Sequence, residues 1–321
     1  MNEDVRQYLG QAWTDFQRRF TASLETDIPL LKQVNRYVLE HGGKKLRPTF
    51  TMLIARALGG RCDELVVSCA VAVELLHTAT LLHDDVADEA QIRRDAPTLV
   101  ALYSPTTAVL IGDFWLSRAV DMVIDHPDKR VIRSFAKCLG DLARGEMLQL
   151  ECADRGDTSE ADYRQIIYCK TSSLFEAAVL TSAYSVGASE IEIEACRQYA
   201  FHVGQAYQMM DDILDYSPEL AIGKPTGQDI MERKITLPLL CLLKKAPAVI
   251  ARRIRRQMKK PDEGLVKEIF SLIRQYDALS DARAILKAEI QQAVEALAPI
   301  PVSEAKSYLE KIAVQLAVRT A

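Results

Sequence analysis

Apolar residues recur three and four positions apart along almost the whole of this 321-residue chain, and no segment keeps the period of two that a half-buried strand needs. Only 14 Gly and 12 Pro interrupt it, too few for the turn-dense alternation of an all-β protein. The pattern therefore predicts an all-α bundle of about a dozen helices. Leu9, Trp13, Phe16 and Phe20 outline the first, and Ile28, Leu31, Val34 and Val38 the second, which Gly42-Gly43 should stop. Pro48 suits the first turn of a third. Asp63-Glu64 favour the start of a long helix reaching about Asp88. Gln91 to Pro97 reads as a charged loop, and further helices are expected at 105–124, 129–152, 159–187 and 191–216. The longest break, 217–231, carries Pro218, Gly223, Pro225 and Gly227, and four more helical segments follow from Ile235 to Val318.

With 49% hydrophobic residues the chain can bury a large core, as one domain or as two tightly fused halves. The formal charge of −4 is spread without a basic tail, which argues against nucleic acid or an anionic membrane surface as partner. Seven cysteines, none in a C-x-x-C pair and most inside apolar helical patterns, read as reduced thiols of a cytoplasmic protein. Five histidines without a Cys/His cluster or H-E-x-x-H give zinc no support. Residues 1–20 lack the continuous apolar stretch of a secretion signal. The segment nearest membrane-spanning length, Leu65 to Leu82, contains Glu74 and His77, so a buried core helix is expected there and no transmembrane segment.

Two acidic clusters of one pattern stand out, Asp84-Asp85-x-x-Asp88 and Asp211-Asp212-x-x-Asp215, each at the end of a long apolar stretch. On a helix the first and last Asp of each share a face. Like charges so placed cost roughly 0.2–0.5 kcal/mol per pair, which a cation would relieve. Mg²⁺ is the natural one, since it accepts few carboxylates, keeps several waters and completes its octahedron with phosphate oxygens. One such cluster would pass as a solvated helix end, but two in equivalent contexts point to a metal-assisted site.

Basic residues accompany the acidic ones. Gly42-Gly43-Lys44-Lys45-Leu46-Arg47-Pro48 gathers cations where the chain turns, with glycines that permit close backbone approach, yet it lacks the Ser or Thr of a P-loop. Arg93-Arg94 follow the first Asp triplet closely enough for guanidinium forks to reach a phosphate beside it. Lys170-Thr171 interrupt an apolar helix, and Gly223-Lys224 and Lys234 flank the long break with Asp229 between them. Any one of these could be a solvated cation. Distributed around two carboxylate triplets, they describe equipment for two diphosphates.

At this point the chain resembles the trans-isoprenyl (polyprenyl) diphosphate synthases. Gly42-Gly43-Lys44-x-x-Arg47-Pro48, Leu82-His83-Asp84-Asp85-x-x-Asp88, Arg93-Arg94, Gly145-Glu146, Lys170-Thr171, Gln208-x-x-Asp211-Asp212-x-x-Asp215 and Gly223-Lys224 through Asp229 to Lys234-x-Thr236-Leu237-Pro238 all stand in family order. Each motif is weak alone, and the ordered set is specific. The string Glu74 to Asp85 is similar to octaprenyl and related long-chain members. The resemblance implies one domain over residues 1–321, a helical bundle around a central apolar cavity of the isoprenoid synthase type, and a cytoplasmic homodimer.

It also implies roles. Asp84, Asp88 and Asp211 would ligate Mg²⁺, with Asp85, Asp212 and Asp215 supporting through the metals' waters. Arg93, Lys170, Thr171, Gln208, Lys224 and Lys234 would hold the allylic diphosphate, while Lys44, Arg47, His77 and Arg94 would hold isopentenyl diphosphate. A lone His on an apolar helix is often a core residue, but His77 lies two turns before Asp84 on the same face. Lys170 and Lys224 are expected to join the metal-binding carboxylates in catalysis, and no side chain stands out as general base. Product length is implied by what lies below Asp84. A bulky aromatic about five residues before the first Asp stops the chain at farnesyl length in the family, whereas here Ala79 stands there with Thr80 beside it and Leu76 and Val73 below. A long-chain all-trans product is expected; a farnesyl or geranylgeranyl synthase and a catalytically silent regulatory subunit are the alternatives. The sequence departs from the family in placing Asp95, not Gly, after the arginine pair, in lacking the usual Lys in Ala96-Pro97-Thr98-Leu99, and in having Ala87 inside the first triplet.

Overall fold

The computed structural model describes residues 2–217 and 226–318. They form seventeen α-helices and one two-residue antiparallel ladder, the all-α architecture that the periodicity predicts, cut more finely at its bends. Two compact units can be distinguished.

The first comprises Met1–Ala136, Ala177–Ile193 and Ile300–Tyr308. It contains α1 (Asn2–Leu9), α2 (Gln11–Ala22), α3 (Pro29–Glu40), α4 (Leu46–Ala57), α5 (Glu64–Ala87), α6 (Leu99–Leu102) and α7 (Pro105–Asp121). The expected first helix is split at Gly10, whose φ of 54° ends α1 and starts α2 at an angle. The central element is α5. Its N-terminus is capped by the Asp63 carboxylate, which accepts from the amides of Leu65 and Val66, and it packs against α7, α4 and α2. Among the described residues α5 alone is long and apolar enough to cross a membrane, and 72% of its most apolar window is buried. A helix apolar all round and covered on all sides is a core helix. Of its two buried acids, Glu74 is neutralised by Lys45 at 3.0 Å. Trp115 of α7 donates its indole N–H to buried Asn35 at 2.9 Å, fixing α3 against α7.

The charged loop expected at 91–97 is a tight hairpin, with β1 (Ile92–Arg93) paired to β2 (Ala96–Pro97). Its two-residue turn is Arg94-Asp95, with φ of 53° and 61°. Paired positive φ values are the signature of a hairpin turn that favours Gly or Asx, so Asp95 occupies the position where the family has glycine.

The second unit comprises Lys137–Glu176, Glu194–Pro299 and Leu309–Ala321. It holds most of α8 (Lys129–Arg155), α9 (Glu160–Ile167), the start of α10 (Ser173–Ser185) and the C-terminal part of α11 (Glu190–Asp215). It continues through α12 (Gln228–Met231), α13 (Leu237–Lys245), α14 (Ala248–Gln257), α15 (Glu263–Gln275), α16 (Ala278–Ala296) and the end of α17 (Glu304–Gln315). The helix expected over 159–187 is interrupted by a π-helical turn at Tyr168–Ser172. Helix α13 is the hub here, packing on α14, α15 and α16. Beside it Tyr216 stacks on Phe270, ring centroids 5.8 Å apart, and Tyr199 donates to the carbonyl of Leu309 at 2.8 Å. All seven cysteines are free thiols and six of them are buried.

Candidate active site

The first acidic cluster is surrounded by the C-terminal end of α5, the hairpin and the turn before α4. Asp88 caps α5, its amide donating to the carbonyl of Asp84 at 2.8 Å, so the first and last acids of the triplet close one helical turn. Asp85 is turned inward and accepts from Arg93 Nε at 2.6 Å. Burial raises its pKa, and the arginine works against that. The triplet's middle acid thus locks the hairpin to the helix, while half-buried Asp84 and exposed Asp88 remain at the surface of the helix end. His83, one residue earlier, lies against Gly112 of α7; a Cβ on that glycine would come within 2.3 Å of the imidazole. Gly112 therefore lets α7 approach the acidic end of α5 closely, which the sequence pattern did not reveal.

His77 is part-buried on α5, and burial together with the charges of Arg47, Arg94, Lys45 and Arg93 holds its imidazole well below the usual range. It is a neutral ring among cations. Of the two glycines before α4, Gly43 lies against the hairpin. A Cβ on Gly43 would lie 2.6 Å from Arg94 Nη1, so the close approach that this glycine permits is used by the Arg94 guanidinium. Of the adjacent lysines, Lys44 is exposed, whereas Lys45 reaches inward to Glu74 and over the Phe20 ring at 4.5 Å. Sequence reasoning had no means of separating the two; φ of 57° at Lys45 reverses the direction of its side chain relative to its neighbour. Ala79 and Leu76 are fully buried and Thr80 is half-buried, its hydroxyl donating to the carbonyl of His77.

The second acidic cluster lies at the end of α11. Thr171 donates to Gln208 Oε1 at 2.8 Å, Gln208 Nε2 donates to Asp212 Oδ1 at 3.0 Å, and Tyr163 donates to Asp212 Oδ2 at 2.6 Å. Three expected residues therefore form one relay, with Tyr163 as a member that no motif signalled. Burial pushes the Asp212 carboxyl up to about 6. Asp215 accepts from the amides of Gln228 and Asp229, both at 3.1 Å, and so caps short helix α12. Asp229 is half-buried beside it, and desolvation with the nearby charges of Asp212 and Asp215 raises its pKa well above the ordinary range. Lys170 pairs with Glu146 at 2.6 Å and donates to Gln149 at 3.1 Å, and Lys234 pairs with Glu232. Lys224 lies outside the described residues.

The donor set fits a hard divalent cation. Among the described residues no three acids, histidines or cysteines converge as a ready-made metal cage. A Mg²⁺ that brings its own waters takes one or two carboxylates plus substrate phosphates, and the acids at these helix ends are of the kind it accepts. Asp84, Asp88 and Asp211 would hold the ion, and Asp85, Asp212 and Asp215, which also accept from protein donors, would support it through its waters.

The polyprenyl synthetase family pattern matches residues 28–273. The chain is 37% identical over 313 residues to the octaprenyl diphosphate synthase of Haemophilus influenzae, covering 97% of this chain and 95% of that one. A decaprenyl diphosphate synthase from Rhodobacter capsulatus has the same fold, with TM-score 0.93 and 31% identity over 100% of both chains. A polyprenyl synthase from Caulobacter crescentus CB15, solved with calcium and isoprenyl diphosphate, gives TM-score 0.91 and 30% identity over 100% of this chain and 98% of that one. Members of the family use a divalent metal and take isopentenyl and allylic diphosphates as substrates. The chain belongs to the polyprenyl synthetase family and is a polyprenyl diphosphate synthase, a prenyltransferase of isoprenoid biosynthesis.

Proposed function

We propose that this chain makes a long all-trans polyprenyl diphosphate by repeated head-to-tail condensation of an allylic diphosphate with isopentenyl diphosphate, and that Mg²⁺ is its metal. The observation that carries the long-chain reading is the absence of a bulky floor on α5: Ala79, with Leu76 a turn below it, stands where a short-chain enzyme carries an aromatic. A single domain over residues 1–321 and a cytoplasmic homodimer belong to the same proposal.

Bound Mg²⁺ would neutralise diphosphate charge and so ease departure of the leaving group. Lys170, Thr171, Gln208, Arg93, Lys224 and Lys234 hold the allylic diphosphate. Lys44, Arg47, His77 and Arg94 hold isopentenyl diphosphate. His77, kept neutral by burial and by its cationic neighbours, can donate one hydrogen bond without adding charge. The allylic C–O bond breaks with its electron pair leaving on diphosphate, and the isopentenyl double bond supplies the pair for the new C–C bond. A proton is then lost to the released diphosphate. The apolar residues below the acids exclude the water that would otherwise trap the cation.

Diphosphate release by the purified chain tests this reading. It should require both substrates and a divalent metal together. Release from the allylic substrate alone at an equal rate would show hydrolysis instead of transfer.

A further inference from the structure

The π-helical turn at Tyr168–Ser172 carries both Lys170 and Thr171. The backbone N–H of Ser173 donates to the carbonyl of Tyr168, five residues back, so one extra residue is accommodated in this turn. Each residue turns a helix by about 100°, and the insertion therefore re-aims the side chains of the turn relative to α9. Such a wide turn is disfavoured in isolation and needs support from its surroundings.

Two neighbouring helices supply that support in the same way. On α8, Gly145 faces the turn: a Cβ there would lie 2.7 Å from Cys169 Cβ and 2.9 Å from Lys170 Cγ. On α11, Gly204 faces its other end, where a Cβ would lie 2.4 Å from Ser172 Cα. Neither distance is tolerated, so both glycines are the condition for the wide turn to fit. The same two helices each contribute a cation to its anchor. Tyr168 donates to Glu176 Oε2 at 2.8 Å and accepts from Lys137 of α8 at 2.5 Å, while Arg197 of α11 donates to Glu176 Oε1 at 2.8 Å. Glu176 is buried and lies on α10, beyond the turn, so the Tyr168–Glu176 bond brackets it from both ends.

We propose that Gly145, Gly204 and Tyr168 are positioning residues, which hold the wide turn in the register that aims Lys170 and Thr171 at the diphosphate of the allylic substrate. The inference rests on the assignment of Lys170 and Thr171 to that substrate. It makes the allylic site depend on groups that touch no ligand, and it leaves the isopentenyl site independent of them.

Steady-state kinetics of the full chain, with each substrate varied in turn, tests it in Gly145→Ala, Gly204→Ala and Tyr168→Phe. Gly140→Ala is the control, because Gly140 lies on the same helix α8 with nothing within 4 Å of its Cβ position. The allylic kcat/KM should fall by roughly tenfold in each glycine variant and severalfold in Tyr168→Phe, about 1.4 kcal/mol for the former. KM for isopentenyl diphosphate should stay within about twofold of the parent, as should both constants in Gly140→Ala. Tyr168→Phe keeps the ring and changes no volume in the helix contacts, so it remains informative should a glycine variant fail to fold. An unchanged allylic kcat/KM in the folded variants, or an equal loss for both substrates, overturns the inference alone. A parent enzyme that condenses nothing overturns the reading beneath it and the inference with it.

Discussion

The long-chain reading predicts a ladder of products along one face of α5. Helical rise of about 1.5 Å per residue puts position 79 roughly 7.5 Å and position 76 roughly 12 Å below Asp84 along the axis. An extended prenyl chain advances by roughly the pitch of one helical turn, about 5.4 Å, for each five-carbon unit. In the family an aromatic at the place of Ala79 stops the chain at farnesyl length, so one at 79 should stop growth at about fifteen to twenty carbons, and one at 76, roughly 4.5 Å lower, about one unit later. Both positions are buried, with Ala79 1% and Leu76 0% exposed, so a tyrosine ring must displace its neighbours. Overpacking of that kind costs about 1–3 kcal/mol, within the usual stability margin of about 5–15 kcal/mol. Reversed-phase sizing of dephosphorylated products from Ala79→Tyr and Leu76→Tyr measures the ladder. Active variants that keep the parent distribution, or Leu76→Tyr products shorter than those of Ala79→Tyr, would refute the geometry.

Asp84→Ala and Asp211→Ala should each lower turnover by at least about a thousandfold, the scale of losing a preorganised charge at a reacting centre, with circular dichroism unchanged; near-normal rates in either would remove the metal argument. Asp95→Gly should raise stability by about 0.5–1 kcal/mol in a chemical melt, because φ of 61° suits glycine better. A loss of stability would show that the Asp95 side chain holds the hairpin. Burial pushes the Glu289 carboxyl up, but hydrogen bonds from His202 and Arg164 outweigh it and leave its pKa below the ordinary glutamate range. A depressed carboxylate contributes stability that is present above its unfolded pKa and lost as pH falls. Glu289→Gln should accordingly cost about 1–3 kcal/mol at neutral pH, less than a fully buried pair because Arg164 is partly exposed, and should flatten the acid limb below about pH 5. An acid limb identical to that of the parent would contradict this.

Helix class and most helix ends were legible because periodicity and capping act within a few residues. The Asp63 cap and the proline-started α3 and α7 are local events of that kind. What the sequence hid were devices set by distant neighbours. The π-turn depends on Gly145 and Gly204, and no propensity of Tyr-Cys-Lys-Thr-Ser announces it. The hairpin turn was concealed because Arg94 and Asp95 are charged residues in a conformation that glycine usually signals. Tyr163 reaches Asp212 across a long stretch of chain, and only the packing of α9 on α11 makes the pair visible. The two acid triplets stood out because their spacing is that of one helical turn. The separate fates of Lys44 and Lys45 turned on a single left-handed residue.

Sizing the products of the unaltered protein tests the central claim most directly. The purified chain would be supplied with Mg²⁺, farnesyl diphosphate and labelled isopentenyl diphosphate in excess, and the dephosphorylated products separated by length. The account predicts a ladder ending several isoprene units beyond geranylgeraniol. Products that end at geranylgeraniol, or label that stays in unreacted isopentenyl diphosphate, would contradict it.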